Sequence, residues 1–309
     1  AASATVELTN YVSSGKAAVS PRFRAIEVND TQGNANSITV TNAGYEPVQI
    51  GSSEKYSNTA LSVTGDASTS VTLNTLGICG VTGVSVKGAE GSLPVVSLTG
   101  AGSDRQPLTA NKGVVADYAN LTMENYAIGA ENAIPCSDGV TVTRSTFNLK
   151  NSTVTASTTG MELKSDTTAT LDTVNVTSTG NWGVEINNNT NVTLENTVNV
   201  TAAGYAVNIY ESSTLKNDSG SGTFTSTGSD TSAIALRADL GSTVTLGQYT
   251  FLAKNTNGQG VLIKSNSTAD LSYDKASGET DKNVIWGGEN GLVVGDGSTV
   301  TVKNYRIYG

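Results

Sequence analysis

Histidine is absent from this 309-residue chain. Its absence removes the commonest general base at neutral pH and the commonest metal ligand, so acid–base chemistry would have to rest on carboxylates or a bound metal. Cysteine occurs twice, as Cys79 and Cys136, too few for a disulfide scaffold. Only 2 methionines, 4 phenylalanines and 5 prolines are present, and strong helix formers are scarce, which argues against a helical protein. Charged residues are 15% of the chain, against roughly 25% in ordinary soluble domains. The 18 Lys and Arg are scattered, and 27 Asp and Glu bring the net charge to −9. The clustered cations of a phosphate-binding surface are therefore missing, and no nucleic-acid partner is expected. No run approaches the ~20 apolar residues that span a bilayer, so no membrane insertion is expected within this chain. The chain opens at Ala1-Ala2-Ser3 without a charged and apolar leader, which leads us to expect a signal peptide already removed. It stops at Tyr308-Gly309 just after a full repeat, which leads us to expect either further chain or an excised domain.

Polarity comes instead from Thr, Ser, Asn and Gly, residues that suit strands and tight turns. From Met161 onward the text repeats short apolar-x-apolar alternations separated by Gly, Asn, Ser or Asp: GMELKSDTTATLDTVNVTST, GVEINNNTNVTLENTVNVTAA, and so on to GLVVGDGSTVTVKNYRIYG. Alternation with period two marks half-buried strands, and the polar clusters mark turns. One inward column reads Leu163, Ile186, Ile209, Leu236, Ile263, Val294; a second reads Leu171, Leu194, Leu215, Leu246, Leu271, Val302. A third reads Val176, Val200, Phe224, Phe251, Ile307. The spacing predicts an all-β, single-stranded, right-handed parallel β-helix with three-strand turns of about 20–31 residues, a period typical of solenoids. Such a turn cannot bury its own apolar face, but stacking on neighbours about 4.8 Å away pairs every backbone group. The amino-terminal half keeps the pattern in Leu61/Val63, Val71/Leu73, Leu76/Ile78 and in Val114/Ala116, Leu121/Met123, Ile128. Cys136, Val142 and Leu149 read as a further turn, with Cys136 in the column of Leu163. Residues 1–38 fit poorly and are expected to be an irregular cap or leading turn, continuous with one β-helix domain over 39–309.

Several residue groups are candidates for chemistry. Cys79 and Cys136 should lie roughly 10–14 Å apart at ~4.8 Å per turn, beyond disulfide reach, so both are expected as unbridged buried thiols. The sequence contains no adjacent Asp pair and no Asp-x-Asp, and Glu162, Asp166, Asp172, Glu185, Glu195 and Glu211 are expected on different faces and turns. No catalytic residue, metal site or cofactor is expected. Gly295-Asp296-Gly297 and Asn187-Asn188-Asn189 carry oxygens that suit calcium, but they also suit tight corners with positive φ, the reading preferred here. Outward positions beside the second column, Thr168/Thr170, Asn191/Thr193, Ser212/Thr214, Thr243/Thr245, Thr268/Asp270 and Thr299/Thr301, approach a two-file threonine array, with Thr170, Thr193, Thr214, Thr245 and Thr301 as its core. That array resembles the ice-binding face of antifreeze solenoids, although outward Thr is also simply a good strand residue. At the corner after the first strand, Lys164, Asn187, Tyr210, Arg237 and Lys264 share an offset and would offer basic and aromatic groups to a ligand. The surplus between Ile263 and Val294 falls in Asp274 to Asn290 and includes Trp286, a loop excursion of the kind that carries binding. Trp182 is expected at a corner. Asn-x-Ser/Thr sites such as Asn151 and Asn175 arise from composition alone and do not establish glycosylation.

The phrase Gly-apolar-x-apolar, polar corner, Ser/Thr-x-apolar-x-apolar, from about Leu61 to Ile307, resembles the passenger domains of autotransporter adhesins such as pertactin. It is similar also to adhesin-like β-helices on gut bacteria, within the broader pectin-lyase-like superfamily. The resemblance implies a bacterial, extracellular protein, secreted or attached to the cell surface, used for adhesion or polysaccharide contact; it carries no site residues over, and fold alone does not give function. The expectation is a non-catalytic adhesin-like protein that binds a glycan or a host or cell-surface protein through corners and loops, with Tyr210, Arg237, Lys264 and Trp286 as ligand contacts. The alternatives are a carbohydrate-active β-helix enzyme, a lyase or hydrolase whose carboxylates converge only in the fold, and an ice-binding solenoid.

Overall fold

A computed structural model of the chain describes residues 5–9, 23–30, 36–41, 48–51, 57–100, 105–129, 136–217, 220–231, 233–274 and 283–309. The regular elements among them are all strands, joined in parallel ladders as a β-solenoid of about nine turns. Among these residues no helix is long and apolar enough to cross a membrane. The chain divides into two compact units, Ala1–Thr155 and Ala156–Gly309.

In Ala1–Thr155, one ladder runs Phe23–Asn29, Ser57–Thr64, the second half of Leu76–Lys87, the second half of Gln106–Asp117 and Cys136–Thr143. A second runs Thr5–Thr9, Ser37–Thr41, Ser70–Asn74, Val95–Thr99, Asn120–Glu124 and the start of Thr146–Lys164. The third links Val48–Gly51 through Ile78 and Leu108 to Tyr126–Ile128 and on to Val154. Two strands fall inside the segment expected as an irregular cap or leading turn, Thr5–Thr9 and Phe23–Asn29, and each pairs in parallel register with a later strand. Inward columns are aliphatic: Val63, Val86, Ala116 and Val142 stack in the first ladder, and all are buried. Cys136 is not in such a column, because Val142 is the partner of Ala116 there; the cysteine opens the strand Cys136–Thr143, six residues before Val142. Tyr126, among the largest fully buried side chains, donates its hydroxyl proton to the Leu76 carbonyl at 3.0 Å, which offsets the penalty of burying it.

In Ala156–Gly309 the same three ladders recur. The third column expected from sequence holds throughout, Val176–Val200–Phe224–Phe251, and the structure adds Ile285 before Ile307. Aromatic rings fill this part of the core: Phe224 lies 5.0 Å from Tyr249 and 5.7 Å from Phe251, which lies 6.2 Å from Tyr305. The first column is corrected at one place. Ile209 pairs with Ala238 and Ala238 with Ile263, while Leu236 sits two residues earlier, between Val207 and Val261. The second column is corrected likewise: Leu215 stands between Val192 and Val244, and the partner of Leu194 is Asn217.

The corners explain both slips. After each first strand two successive residues take left-handed φ: Ser165/Asp166, Asn188/Asn189, Glu211/Ser212, Leu240/Gly241, Ser265/Asn266 and Asp296/Gly297. The next residue is Thr167, Thr190, Ser213, Ser242 or Ser267 in the first five turns, each buried. These hydroxyls form a ladder inside the corner. Ser213, Ser267 and Ser298 accept the backbone N–H of Thr190, Ser242 and Ser267 at 3.1–3.2 Å. A side chain that satisfies a buried N–H at a place where no strand ladder can reach fixes the register of both flanking strands. Counting back from that Ser or Thr gives Ala238, not Leu236, as the column residue. At the opposite end of the first strand the chains approach closely: a Cβ at Gly183 would lie 2.5 Å from the Ala206 carbonyl oxygen, so the Gly-apolar-x-apolar phrase opens with a small residue in every turn.

Candidate functional site

The outward face of the first ladder in Ala156–Gly309 carries two files. One is Lys164, Asn187, Tyr210, Asp239 and Lys264; the other is Glu162, Glu185, Asn208 and Arg237. Arg237 is therefore not in the file expected for it. Asp239 holds that place, because the corner after it belongs to Leu240-Gly241. The two files knit together. Tyr210 donates its hydroxyl proton to Glu185 Oε1 at 2.6 Å and accepts from Asn187 Nδ2 at 3.0 Å. Lys164 Nζ pairs with Glu162 Oε1 at 2.8 Å. Arg237 and Lys264 both pair with Asp239, which is only 4% exposed, and the Arg237 guanidinium lies 5.4 Å over the Tyr205 ring. Burial pushes the Asp239 carboxyl up, but hydrogen bonds from Ser265 and Arg237 and the nearby cations outweigh it and hold it below the usual carboxylate range. Burial raises Glu185 more than the Tyr210 hydrogen bond lowers it, and the neighbouring Glu162 adds to the rise. Burial first, then Glu185, raises the Tyr210 phenol. Tyr210, Arg237 and Lys264 thus come together on one face, with their polar groups directed at each other's neighbours. The Nε of Arg237 and the Oδ1 of Asn208 are buried there without a hydrogen-bond partner among the described residues.

Acidic residues expected on different faces include two sets of register neighbours, Glu162 beside Glu185 and Asp172 beside Glu195. Asp172 accepts from Asn196 Nδ2 at 2.6 Å, and Asp166 from Asn189 Nδ2 at 2.6 Å. Among the described residues no group of three or more His, Cys, Asp or Glu could hold a metal. Both cysteines are buried thiols, and burial pushes the Cys136 thiol up to about 11.

The threonine array lies on the second ladder. One file reads Thr168, Asn191, Thr214, Thr243, Thr268, Thr299; the other reads Thr170, Thr193, Lys216, Thr245, Asp270, Thr301. Thr214 moves to the first file, again because the register is counted from the corner at Ser213, and Lys216 takes the place expected for it. A flat hydroxyl surface is interrupted by a cation at Lys216 and a carboxylate at Asp270.

Trp286 lies on the third ladder, in the strand Val284–Gly287. The part of the loop excursion at residues 275–282 lies outside the described residues. Trp286 pairs in register with Leu252 on one side and Tyr308 on the other, and it is 39% exposed. Its ring centroid is 5.2 Å from that of Tyr308, and Lys254 Nζ stands 4.3 Å from it. Beside this shelf runs an open groove lined by Thr225, Ser226, Thr227, Leu252, Lys254 and Asn255. Sequence reasoning singles out Trp286 as part of a loop and misses Lys254, Leu252 and Tyr308. The signal that could have found them is the third column itself, since the residue after Phe251, Ile285 or Ile307 must point outward. Trp182, partly buried, opens a first strand and pairs with Thr159 and Tyr205. No protein family, curated protein or solved structure matches this chain.

Proposed function

We propose that this is a non-catalytic, adhesin-like protein, secreted or held at a bacterial cell surface, and that it binds glycans through the Trp286 shelf. The observation that carries the reading is the exposed Trp286 ring flanked by Tyr308 and Lys254. An indole held on a strand loses little entropy on binding, and its electron-rich face attracts the C–H bonds of a pyranose ring as it attracts cations. Neighbouring outward positions carry Thr223, Thr225 and Thr250, short hydroxyl side chains that match a polyhydroxylated ligand. Tyr210, Arg237 and Lys264, engaged with Asp239, Glu185 and Asn187, are assigned to the polar cover of their own face. The test is calorimetric titration with a panel of oligosaccharides against wild type and Trp286→Ala. Loss of the anchor should weaken binding by about tenfold or more, as for aromatic hot spots. Undiminished binding by the variant, or no binding by the wild type, removes the reading.

A second reading, a carbohydrate-cleaving enzyme, draws support from one observation: Glu185 has a raised carboxyl beside Glu162, the pairing that a general acid and its partner need. New reducing ends or unsaturated sugars after incubation with polysaccharides, lost in Glu185→Gln, would favour it over the binding module.

A further inference from the structure

We infer that the Trp286 shelf selects glycans bearing a carboxylate, a reading that rests on the glycan-binding role proposed above. The chain carries a net charge of −9, so an acidic ligand is repelled by the protein at large unless a local cation meets it. The four strands that form this face, Gly222–Ser226, Tyr249–Ala253, Val284–Gly287 and Arg306–Tyr308, contain no Asp or Glu. Among the described residues the cation beside the indole is Lys254, one residue past the strand Tyr249–Ala253. Lys254 is exposed, and its ammonium contacts the indole rather than a carboxylate among the described residues. A sugar stacked on Trp286 takes the place of the Lys254 ammonium over the ring, and the flexible lysine stem lets that ammonium swing to the rim and meet a ring carboxylate. A salt bridge at the rim of an aromatic platform adds direction to stacking that has little of its own.

The backbone argues for side-chain recognition over strand addition. Tyr249–Ala253 is paired on both sides, by Gly222–Ser226 and Val284–Gly287, and Val284–Gly287 is paired in turn by Arg306–Tyr308. A peptide adding a strand needs an unpaired edge, and these central strands present none. A groove of hydroxyls and one amide beside an aromatic–cation pair suits a sugar chain lying across successive turns.

The test uses the whole chain and two matched pairs of probes, sialyllactose against lactose and a hyaluronan hexasaccharide against a chitin hexasaccharide. Wild type should bind the acidic member of at least one pair about tenfold more tightly, and high salt should erase the difference. Lys254→Gln should lose the preference, Lys254→Arg should restore it, and Trp286→Ala should weaken acidic and neutral members alike. Equal affinity within both pairs, or a preference untouched by Lys254→Gln, overturns the carboxylate inference and leaves glycan binding standing. Binding of poly-glutamate as tight as that of the acidic sugars transfers the site to an acidic peptide and overturns it too. Failure to bind any probe overturns both readings.

Discussion

Corners separate the two units. In Ala156–Gly309 each first strand ends in two left-handed residues and then a Ser or Thr, and three of these hydroxyls, Ser213, Ser267 and Ser298, accept the backbone N–H of the preceding turn. In Ala1–Thr155 the equivalent slot holds Thr69, Pro94, Ala119 and Ser145, the residues just before Ser70, Val95, Asn120 and Thr146. Pro94 has no N–H to give and Ala119 no hydroxyl, so among the described residues the ladder survives there as a single bond, Ser145 Oγ accepting from Ala119 N–H at 2.9 Å. Outward side chains at these corners supply part of the missing support. Arg144, itself left-handed, pairs with Asp117 at 2.7 Å and lies 4.6 Å over the Tyr118 ring. A repeated corner lets each turn vary its strands without losing register. An irregular corner must be fixed afresh by local contacts.

Four experiments test the two units and their corners. The largest effect is expected from Phe251→Ala, which opens a cavity in the aromatic core and should cost about 3–5 kcal/mol. Phe147→Ala should cost a similar amount in the other unit, since both rings are fully buried. Hydrogen exchange should show protection lost in Ala156–Gly309 for the first variant and in Ala1–Thr155 for the second. Protection lost across both units in either variant would mean that they are not separate stability units. Next, Ser267→Ala strips the partner from the buried Ser242 N–H and should destabilise by about 1–3 kcal/mol in denaturant unfolding. Ser145→Ala, at the isolated rung, should cost about the same; a much smaller loss at Ser267 would deny the hydroxyl ladder its structural role.

Smaller gains are expected at the second corner. Thr75 and Thr173 hold φ of 62° and 56°, where a β-branched side chain is strained. Replacing either by Asn should stabilise its unit by about 1 kcal/mol, read as a rise in melting temperature; unchanged or lower values would show that the threonines are held by contacts worth more than the strain. The smallest change concerns Glu185, whose carboxyl is raised in the fold. Such a group contributes most below its unfolded value, and the contribution is lost as pH rises through the folded one. Glu185→Gln should therefore gain on wild type as pH rises above about 4, the ordinary glutamate value. A stability gap that stays constant with pH would rule out a burial-raised carboxyl.

Much of the architecture is legible in the sequence because burial writes itself into a period. The alternation around Val176, Val200, Phe224 and Phe251 predicts a column that the ladders reproduce residue by residue. The slips at Leu236 and Leu215 have one cause. Ala233-Ile234-Ala235-Leu236-Arg237-Ala238 and Thr214-Leu215 allow two registers that both bury an apolar residue, and a two-residue shift leaves every side chain on its own face. Hydrophobicity cannot distinguish them; the corner hydroxyl can. The same shift puts Arg237 in the wrong file of ligand candidates and hides Asp239, the carboxylate that engages it. Lys254, Leu252 and Tyr308 escape notice for a different reason. Each is ordinary in its own stretch of sequence and becomes a shelf only when coils far apart in the chain lie side by side with Trp286.

That this chain coils as parallel strands follows from the order of its residues, because short apolar alternations between Gly, Asn and Ser clusters have no other way to bury their inner face. Which outward residues meet is settled only in the folded coil. Neighbours across a ladder are set by corner length and register, and those depend on where buried hydroxyls and left-handed residues satisfy the backbone, not on the apolar pattern that drives the coil to form.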